Sequence, residues 1–266
     1  MKIYDYHLHS NFSFDARFSM DALCRSAIKR RASGITFTDH IEYGFEEDLD
    51  YELDLLAYQE AIERLRVDYP ELQIGMGAEI GLQKHTLIKA QEATQSAPWD
   101  FIIASAHMMD GRLLYNGEFT RGKKKKEIFS SYFQGLYELA RDFKDFDVMG
   151  HIDLLRRDPL VTDKSINWQD YPDELDALFK VLIESGRGFE INTAGWRYGL
   201  GGPHPDKSLL LRYRELGGEI ITCGSDAHNP DYVASKIEEA YELLRECGFR
   251  YVSLFCQRRL QQLPLD

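Results

Sequence analysis

Near its amino terminus the chain has the run Lys2-Ile3-Tyr4-Asp5-Tyr6-His7-Leu8-His9, a short alternating stretch that ends on two histidines. Side chains alternate between the two faces of a β-strand, so His7 and His9 would point the same way and could hold one ion together. Neutral imidazole is a common ligand of Zn²⁺ and of other first-row transition metals. One such pair is weak evidence, so the rest of the chain decides its meaning.

The same arrangement recurs along the sequence, because further short apolar runs end directly on residues that bind metals. These runs end at Asp39-His40, Glu79, His107, His151, and Asp226 with His228. Six of the eight histidines occupy such positions, and His85 and His204 do not. The pattern predicts a metal site built from the ends of strands, and it predicts no catalytic role for His85 or His204.

Amphipathic stretches separate these runs and indicate the architecture. They cover residues 20–31, 53–68, 86–96, 126–143, 174–185, 207–216 and 232–247. Alternating strands and helices predict a parallel sheet covered by helices, and roughly seven or eight such units can close into a barrel. An open doubly wound sheet would gather ligands at one switch point, whereas here they follow almost every strand. We therefore expect a closed or nearly closed α/β barrel with its active site at the carboxyl ends of the strands.

Composition favours one globular unit over residues 1–266, since no linker or low-complexity tract divides the chain. No apolar stretch approaches the length of a membrane span or signal-peptide core, so we expect a cytoplasmic protein with no membrane partner. The four cysteines form no Cys-x-x-Cys pair and are expected to be reduced. The net charge of −12 argues against a nucleic-acid partner. It permits an anionic substrate, because bound cations would make the pocket locally positive.

Taken in order, these motifs resemble the polymerase and histidinol phosphatase (PHP) superfamily. They are His7-x-His9 with Ser13-x-Asp15, Thr38-Asp39-His40, Glu79, His107, Gly150-His151 and Ser225-Asp226-Ala227-His228. The resemblance implies a distorted (β/α)₇ TIM-like barrel with three divalent metal ions. The implied ligands are His7, His9, Glu79 and Asp226 for the first ion, Glu79, His107 and His151 for the second, and Asp15, His40 and His228 for the third. The choice among Zn²⁺, Fe²⁺ and Mn²⁺ stays open, as does the oligomeric state.

Further motifs resemble the histidinol-phosphatase branch of that superfamily, which implies hydrolysis of L-histidinol phosphate in histidine biosynthesis. They are Ala106-His107 with Asp110-Gly111, Gly150-His151-Ile152-Asp153 with Arg156-Arg157, and Glu190-Ile191-Asn192-Thr193 with Arg197. A guanidinium group binds phosphate oxygens bidentately, so we expect Arg197 and Arg157 to bind the phosphoryl group, with Arg156 as the alternative to Arg157. Trp196 and Tyr198 flank Arg197 and could line a pocket for an imidazole ring.

Two ions ~4 Å apart could lower the pKa of a shared water and neutralise charge on phosphorus. Arg197 would orient the ester, and Asp15 or His40 would supply or relay a proton to the leaving group. Other functions remain open at this point: a PHP-type protein-tyrosine phosphatase, a PHP-type phosphodiesterase or, less favoured, an amidohydrolase barrel. The acidic charge and the arginines favour a small phosphorylated substrate.

Overall fold

A parallel sheet that curves almost into a barrel organises the protein. The computed structural model describes residues 1–45 and 49–265. The sheet contains β1 (Tyr4–Leu8), β2 (Gly34–Phe45), β4 (Gln73–Gly81), β5 (Phe101–Ser105), β8 (Val148–Met149), β9 (Gly188–Asn192) and β10 (Ile221–Gly224). The shorter additional strands are β3 (Leu49–Tyr51), β6 (Met108–Met109) and β7 (Arg112–Leu113), and a hairpin of β11 (Tyr251–Cys256) and β12 (Arg259–Pro264) follows the last helix.

Helices follow the strands of this sheet and cover its outer face. They are α1 (Met20–Lys29), α2 (Leu55–Asp68), α3 (Leu87–Gln95), α4 (Lys125–Asp142), α5 (Pro172–Glu184), α6 (Ala194–Arg197), α7 (Lys207–Glu215) and α8 (Ile237–Glu246). Most turn an apolar stripe inward, and rings such as Phe179, Phe189 and Tyr213 are fully buried against one another. Complete burial of a large apolar side chain contributes about 1.5–3 kcal/mol each. Among the described residues, no helix is long and apolar enough to cross a membrane.

The strands pair in the order β1-β2-β4-β5-β8-β9-β10, and all of these pairs are parallel. The two edges meet just beyond β10, where Leu8 forms a parallel bridge with Ala227. The His9 amide donates to the Ala227 carbonyl at 3.0 Å. The circle is closed by this contact, by the Ala227 amide, which donates to the His7 carbonyl at 3.4 Å, and by side-chain bonds between Ser225 and Asp5. Because the closure is short and β8 has just two residues, the barrel is distorted. The prediction of a seven-stranded, TIM-like barrel is confirmed.

One predicted helix begins later than the sequence pattern indicated. The pattern predicted a helix over residues 232–247, whereas α8 begins at Ile237. A 3₁₀ turn over Pro230–Tyr232 precedes it, and Lys236 adopts a left-handed backbone with φ of 63°. The Ala234 amide donates to Asp5 Oδ2 at 2.7 Å. This bond to β1 holds the segment out of helical geometry.

The hairpin of β11 and β12 closes the amino-terminal end of the barrel. Phe255 accepts a hydrogen bond from the Tyr6 hydroxyl through its carbonyl at 2.9 Å, and both rings pack on Phe101. The carboxyl ends of the strands lie at the opposite end, beside an open pocket. The fold therefore directs the strand-end histidines and carboxylates toward the accessible side of the barrel.

Candidate metal centre

The structure brings all nine predicted metal ligands together at the carboxyl end of the barrel. His7 lies in β1, His40 in β2 and Glu79 in β4, and the β2–β4 register places His40 directly beside Glu79. The remaining ligands follow the ends of strands or lie in the loop before α1: they are His9, Asp15, His107, His151, Asp226 and His228. Their assembly follows from parallel strands ending at one edge. Their role as ligands stays a prediction.

A first group of ligand atoms surrounds one side of Glu79. His7 Nε2 lies 3.0 Å from His9 Nε2, and both imidazole nitrogens approach Glu79 Oε2, at 3.2 and 3.4 Å. Asp226 Oδ1 completes the group at 3.8 Å from His7 Nε2 and 3.6 Å from His9 Nε2. His7, His9 and Glu79 are fully buried or nearly so. The four donors can surround one cation.

A second group lies on the other oxygen of the same glutamate. Glu79 Oε1 is 3.4 Å from His107 Nε2 and 3.2 Å from His151 Nε2, and the two imidazole nitrogens are 3.4 Å apart. Glu79 Oε1 thus faces one histidine pair, whereas Oε2 faces the pair of the first group and also His40 Nδ1, at 3.2 Å. This arrangement suits a carboxylate that bridges two cations.

A third group lies at the mouth of the site. Asp15 Oδ2 is 3.5 Å from His40 Nε2 and 3.1 Å from His228 Nε2. The rings of His40 and His228 both stack on His9, with centroids 4.2 and 4.1 Å away, and their own centroids are 6.0 Å apart. Asp15 is partly exposed, whereas His40 is buried. The group joins the buried centre to the solvent-facing rim.

The hydrogen bonds behind the rings test whether cations fit between them. His7 Nδ1 donates to Glu190 Oε2 at 2.8 Å. His9 Nδ1 is 3.2 Å from Ser13 Oγ, whose own proton goes to Asp39 at 2.7 Å, so the imidazole is the donor. In these tautomers both Nε2 atoms carry lone pairs. Two lone pairs 3.0 Å apart beside a carboxylate repel one another unless a positive charge, either a proton or a metal ion, lies between them. The donor set therefore fits a metal ion.

The second group gives the same result. His107 Nδ1 donates to Glu42 Oε1 at 2.5 Å, which leaves the lone pair of Nε2 facing His151. His151 Nδ1 is buried without a hydrogen-bond partner among residues 1–45 and 49–265, whereas His40 Nδ1, which also lacks a hydrogen bond there, lies 3.2 Å from Glu79 Oε2. A buried polar atom without a partner is costly, and such atoms concentrate where a ligand or ion belongs. The His/Glu groups are therefore suited to metal binding.

Both central carboxylates are held in their charged form. Burial would raise the pKa of Glu79, but the imidazoles of His7, His107 and His40 lower that pKa well below its usual value. Burial likewise opposes ionisation of Asp226, but Arg157 and then His7 lower its pKa well below the ordinary range. Both carboxylates therefore keep the negative charge that divalent cations need.

Three supporting residues were not singled out as functional from the sequence. Glu42, Glu190 and Ser13 contact the rear nitrogen of His107, His7 and His9 respectively. Such partners fix the tautomer and ring orientation of a histidine ligand. A signal existed for Glu42, because it lies two residues after His40 and so faces the same side of β2. Glu190 and Ser13 reach their partners only through the fold.

A pocket of about 270 Å³ opens above the three groups. Its floor is formed by ligand side chains, and its wall contains the apolar and aromatic side chains of Phe14, Phe45, Tyr115, Leu154 and Tyr198. The volume is near the lower end of the range for small-molecule sites. A polar floor with an aromatic wall suits a small ligand that has one charged end and one ring.

Of the two adjacent arginines, Arg157 is the one that lines the pocket. Its Nη2 donates to Asp226 Oδ2 at 2.8 Å, and its guanidinium lies 4.3 Å from the ring centre of Tyr198. Arg156 is buried elsewhere and donates to Asp153 at 2.9 Å and to the Pro203 carbonyl at 3.0 Å. The geometry favours Arg157 over Arg156 as the phosphate ligand.

Arg197 has contacts that differ from those expected of a phosphate ligand. Its Nη2 donates to the Asp226 carbonyl at 2.8 Å and, with Nη1, to the Ser225 carbonyl at 3.3 Å. Asp226 has a left-handed backbone with φ of 53°, a conformation that costs free energy for residues other than glycine. Arg197 supports this turn from behind and is not among the residues that line the pocket. Its predicted catalytic and phosphate-binding role stays a prediction.

Two further residues bear on the sequence predictions. Trp196 lines a separate cavity beside Arg156, so of the pair proposed for an imidazole ring only Tyr198 reaches the site. His204 is fully buried and contacts Arg157, and the expectation that it has no catalytic role stays a prediction. Nothing near His204 in the sequence indicates this contact, because 47 positions separate the two residues.

This chain is similar to a known protein family and to histidinol-phosphatases of other organisms. The model of the PHP domain matches residues 5–194. The histidinol-phosphatase of Lactococcus lactis is 29% identical over 267 residues, covering 98% of this chain and 97% of its own. The probable histidinol-phosphatase of Clostridium acetobutylicum is 28% identical, covering 98% and 99%.

A solved structure gives the same relationship in three dimensions. The histidinol phosphate phosphatase of L. lactis, crystallised with zinc, L-histidinol and phosphate, superimposes with a TM-score of 0.89 at 28% identity. The match covers 98% of this chain and 99% of that one. The matched residues 5–194 include most of the groups described above, and β10 completes the same sheet with Asp226 and His228 at its end. This chain belongs to the PHP family.

Proposed function

We propose that this protein hydrolyses L-histidinol phosphate to L-histidinol and phosphate, a step of histidine biosynthesis. The observation that carries the proposal is the nearly full-length similarity, in sequence and fold, to an enzyme whose crystal structure holds zinc, L-histidinol and phosphate. The pocket supports it with chemistry of its own. A cluster for cations lies at its floor, Arg157 lies beside that cluster, and rings lie above it.

Three divalent ions would occupy the three ligand groups, with Glu79 shared between the first and second. Bound there, they would polarise the phosphoryl oxygens and lower the pKa of the attacking water. Zn²⁺ suits these imidazole-rich groups, and Fe²⁺ and Mn²⁺ suit them as well. The proposed ligand assignment is that expected from the sequence, since each group lies together in the structure.

The protein's own side chains would bind and orient the ester. Arg157 presents a guanidinium group beside Asp226, where it can pair with phosphate oxygens. Phe14 and Tyr198 would pack against the imidazole ring of the substrate. Asp15 and His40, 3.5 Å apart at the mouth, are the candidates to pass a proton to the departing alkoxide.

The test is phosphate release by metal-loaded protein from L-histidinol phosphate, p-nitrophenyl phosphate, a phosphotyrosine peptide and bis-p-nitrophenyl phosphate. We expect kcat/KM for histidinol phosphate to exceed the others and to fall in Arg157→Ala. Metal analysis of the same samples is expected to give three ions per chain. Preference for the peptide or the diester would replace this proposal with another phosphoesterase activity.

Arg197→Ala distinguishes the two roles open to that arginine. If Arg197 binds phosphate, the variant raises KM for every phosphomonoester and keeps its full metal content. If it acts only by supporting the Asp226 turn, the variant loses metal from the first group. Measuring KM and metal content together separates these results.

A further inference from the structure

A chain of buried polar side chains runs from Asp153, which follows β8, to the pocket. Asp153 contacts His204 Nδ1, His204 Nε2 lies 3.0 Å from Arg157 Nε, and Arg157 Nη2 contacts Asp226 at 2.8 Å. Asp153 and His204 are fully buried, and they line neither the pocket nor any of the three ligand groups. The metal centre therefore does not explain why they are there.

The direction of each hydrogen bond in this chain is fixed by chemistry. The Nε of a guanidinium group is always a donor, so His204 Nε2 must accept the bond from Arg157. The proton of the imidazole then lies on Nδ1, where the Asp153 carboxylate accepts it. Burial and the neighbouring Arg157 lower the pKa of His204 to about 4, against the opposing effect of Asp153, which keeps the ring neutral. Asp153 thus selects the tautomer that Arg157 needs.

Asp153 and His204 are themselves held firmly. Asp153 Oδ2 accepts hydrogen bonds from Arg156 Nη1 and from the Asp206 amide, both at 2.9 Å. The backbone of His204 exchanges two hydrogen bonds with Asn192 at the end of β9, at 2.8 and 2.6 Å. The imidazole of His204 is therefore held in place by the barrel, and its hydrogen bond can restrict the orientation of the Arg157 side chain.

The guanidinium group of Arg157 is fixed on three sides. Nε contacts His204, Nη2 contacts Asp226, and the ring of Tyr198 lies 4.3 Å from the guanidinium carbon. The side chain lines the pocket. A planar guanidinium group that is hydrogen-bonded at both Nε and Nη2 is fixed in its plane. The remaining N–H groups are therefore presented in one orientation.

We propose that His204 and Asp153 are positioning residues that orient the guanidinium group of Arg157 for the phosphoryl group of the substrate. The inference rests on the proposed phosphatase function, and it assigns a role to two residues that do not touch the substrate. Arg156 completes the arrangement by neutralising Asp153. A lysine at position 157 could not use this device, because it lacks the Nε donor.

The test compares two amides at position 204 in the metal-loaded protein. Gln reaches as far as Nε2 and can accept from Arg157, whereas Asn reaches only as far as Nδ1 and can contact only Asp153. Affinity for inorganic phosphate is measured by calorimetry, and kcat/KM is measured with p-nitrophenyl phosphate. We expect His204→Asn to weaken both on the order of 10–100-fold, the cost of a misplaced binding group, and His204→Gln to retain most of both.

A double-mutant cycle with Arg157→Lys shows whether the effect passes through the arginine. We expect His204→Asn to change phosphate affinity by less than about twofold in that background, because the coupled partner is already gone. Equal losses in both backgrounds would show a general structural role and overturn the proposal. So would unchanged phosphate affinity in His204→Asn with unchanged metal content.

A measurement on the unmodified protein covers the case in which a variant does not fold. Nitrogen-15 NMR of the histidine rings reports the tautomer, and we expect a proton on Nδ1 of His204. A proton on Nε2 would exclude the bond from Arg157 and overturn the proposal. If p-nitrophenyl phosphate shows the coupling but histidinol phosphate is not preferred, the proposed substrate fails while the positioning role stands. If histidinol phosphate is preferred but the coupling is absent, the proposed substrate stands and the positioning role fails.

Discussion

Asp5 and Glu79 are both buried carboxylates on strands of the same barrel, yet their surroundings are opposite. Asp5 accepts from the amides of Ser225 and Ala234, each at 2.7 Å, and from the Ser225 hydroxyl at 2.5 Å. Glu79 accepts one hydroxyl bond, from Ser105, and otherwise faces imidazole nitrogens. Neutral donors complete the first carboxylate, whereas the second still needs a cation. The difference separates a carboxylate that joins strands from one that is suited to metal.

The largest expected effect comes from removing the shared carboxylate. Glu79→Gln takes away the negative charge between the first two ligand groups, so we expect metal content and activity to fall together. The loss of activity should be on the order of 100-fold or more, since even outer-shell partners of metal ligands cause 10–100-fold losses. Metal analysis and phosphate release measure the two quantities.

The stability of the Glu79→Gln variant, with and without metal, provides a second test of the same ligand role. Metal-free Glu79→Gln should be less stable than the metal-free parent, because it loses the attraction of the neighbouring imidazoles that lowers the pKa of Glu79. Metal should stabilise the parent by about 2.7 kcal/mol at a hundred times its dissociation constant, and the variant by less. Thermal unfolding with and without a chelator gives both values. Full metal stabilisation of the variant would contradict a ligand role for Glu79.

A smaller effect on metal affinity is expected at Glu42, which contacts the proposed ligand His107 and not the metal itself. Glu42→Gln keeps an oxygen for His107 Nδ1 but removes the charge that makes the imidazole a stronger ligand. We expect metal affinity to fall on the order of 10-fold, as for other second-layer partners of histidine ligands. Metal titration of the folded protein measures this. Glu63→Gln, on the exposed face of α2, is the matched control and should change nothing.

The order of apolar runs predicted the barrel and a cluster of strand-end ligands, whereas the grouping of the nine candidates into three sets was implied by the resemblance to the PHP superfamily. Each apolar run defines a strand, and the residue after the strand must lie at the carboxyl edge of the sheet. Residue spacing separates Glu79, which ends an apolar run, from Asp5, which lies inside the first run. It does not indicate the donors of Asp5, because these come from positions 225 and 234. The orientations of Arg197 and His204 also depend on backbone turns and partners far away in the chain, which residue spacing does not encode.

Asp5→Asn should lower the stability of the protein, whereas Glu79→Gln should lower its metal content. The amide would place an N–H group against the donors of Ser225 or Ala234 and leave at least one without an acceptor. Burial raises the pKa of Asp5, and its hydrogen-bond donors offset this rise only in part. Burying the charged carboxylate therefore costs some free energy in the native protein. We expect a loss of about 1–3 kcal/mol in the free energy of unfolding of the metal-free protein.

Denaturant unfolding of the metal-free protein checks this value, with metal content as the second measurement. Asp5 also contacts the amide of His7 at 3.3 Å, so a slight change in metal affinity is compatible with the prediction. Loss of metal at unchanged stability would contradict it. That result would show that Asp5, like Glu79, contributes to metal binding and does not only join strands.

The smallest effect concerns a buried polar atom that serves no ion. Thr222 Oγ1, in β10, has no hydrogen-bond partner among the described residues, as is true of His40 Nδ1 and His151 Nδ1. The imidazole nitrogens belong to the ligand groups, whereas Thr222 is a member of none of them and pairs in register with Glu190. Replacing its hydroxyl by a methyl group in Thr222→Val removes an uncompensated desolvation cost and keeps the shape. We expect unfolding free energy to rise by up to about 1 kcal/mol, with kcat/KM unchanged; a loss of activity would place this hydroxyl in the functional network.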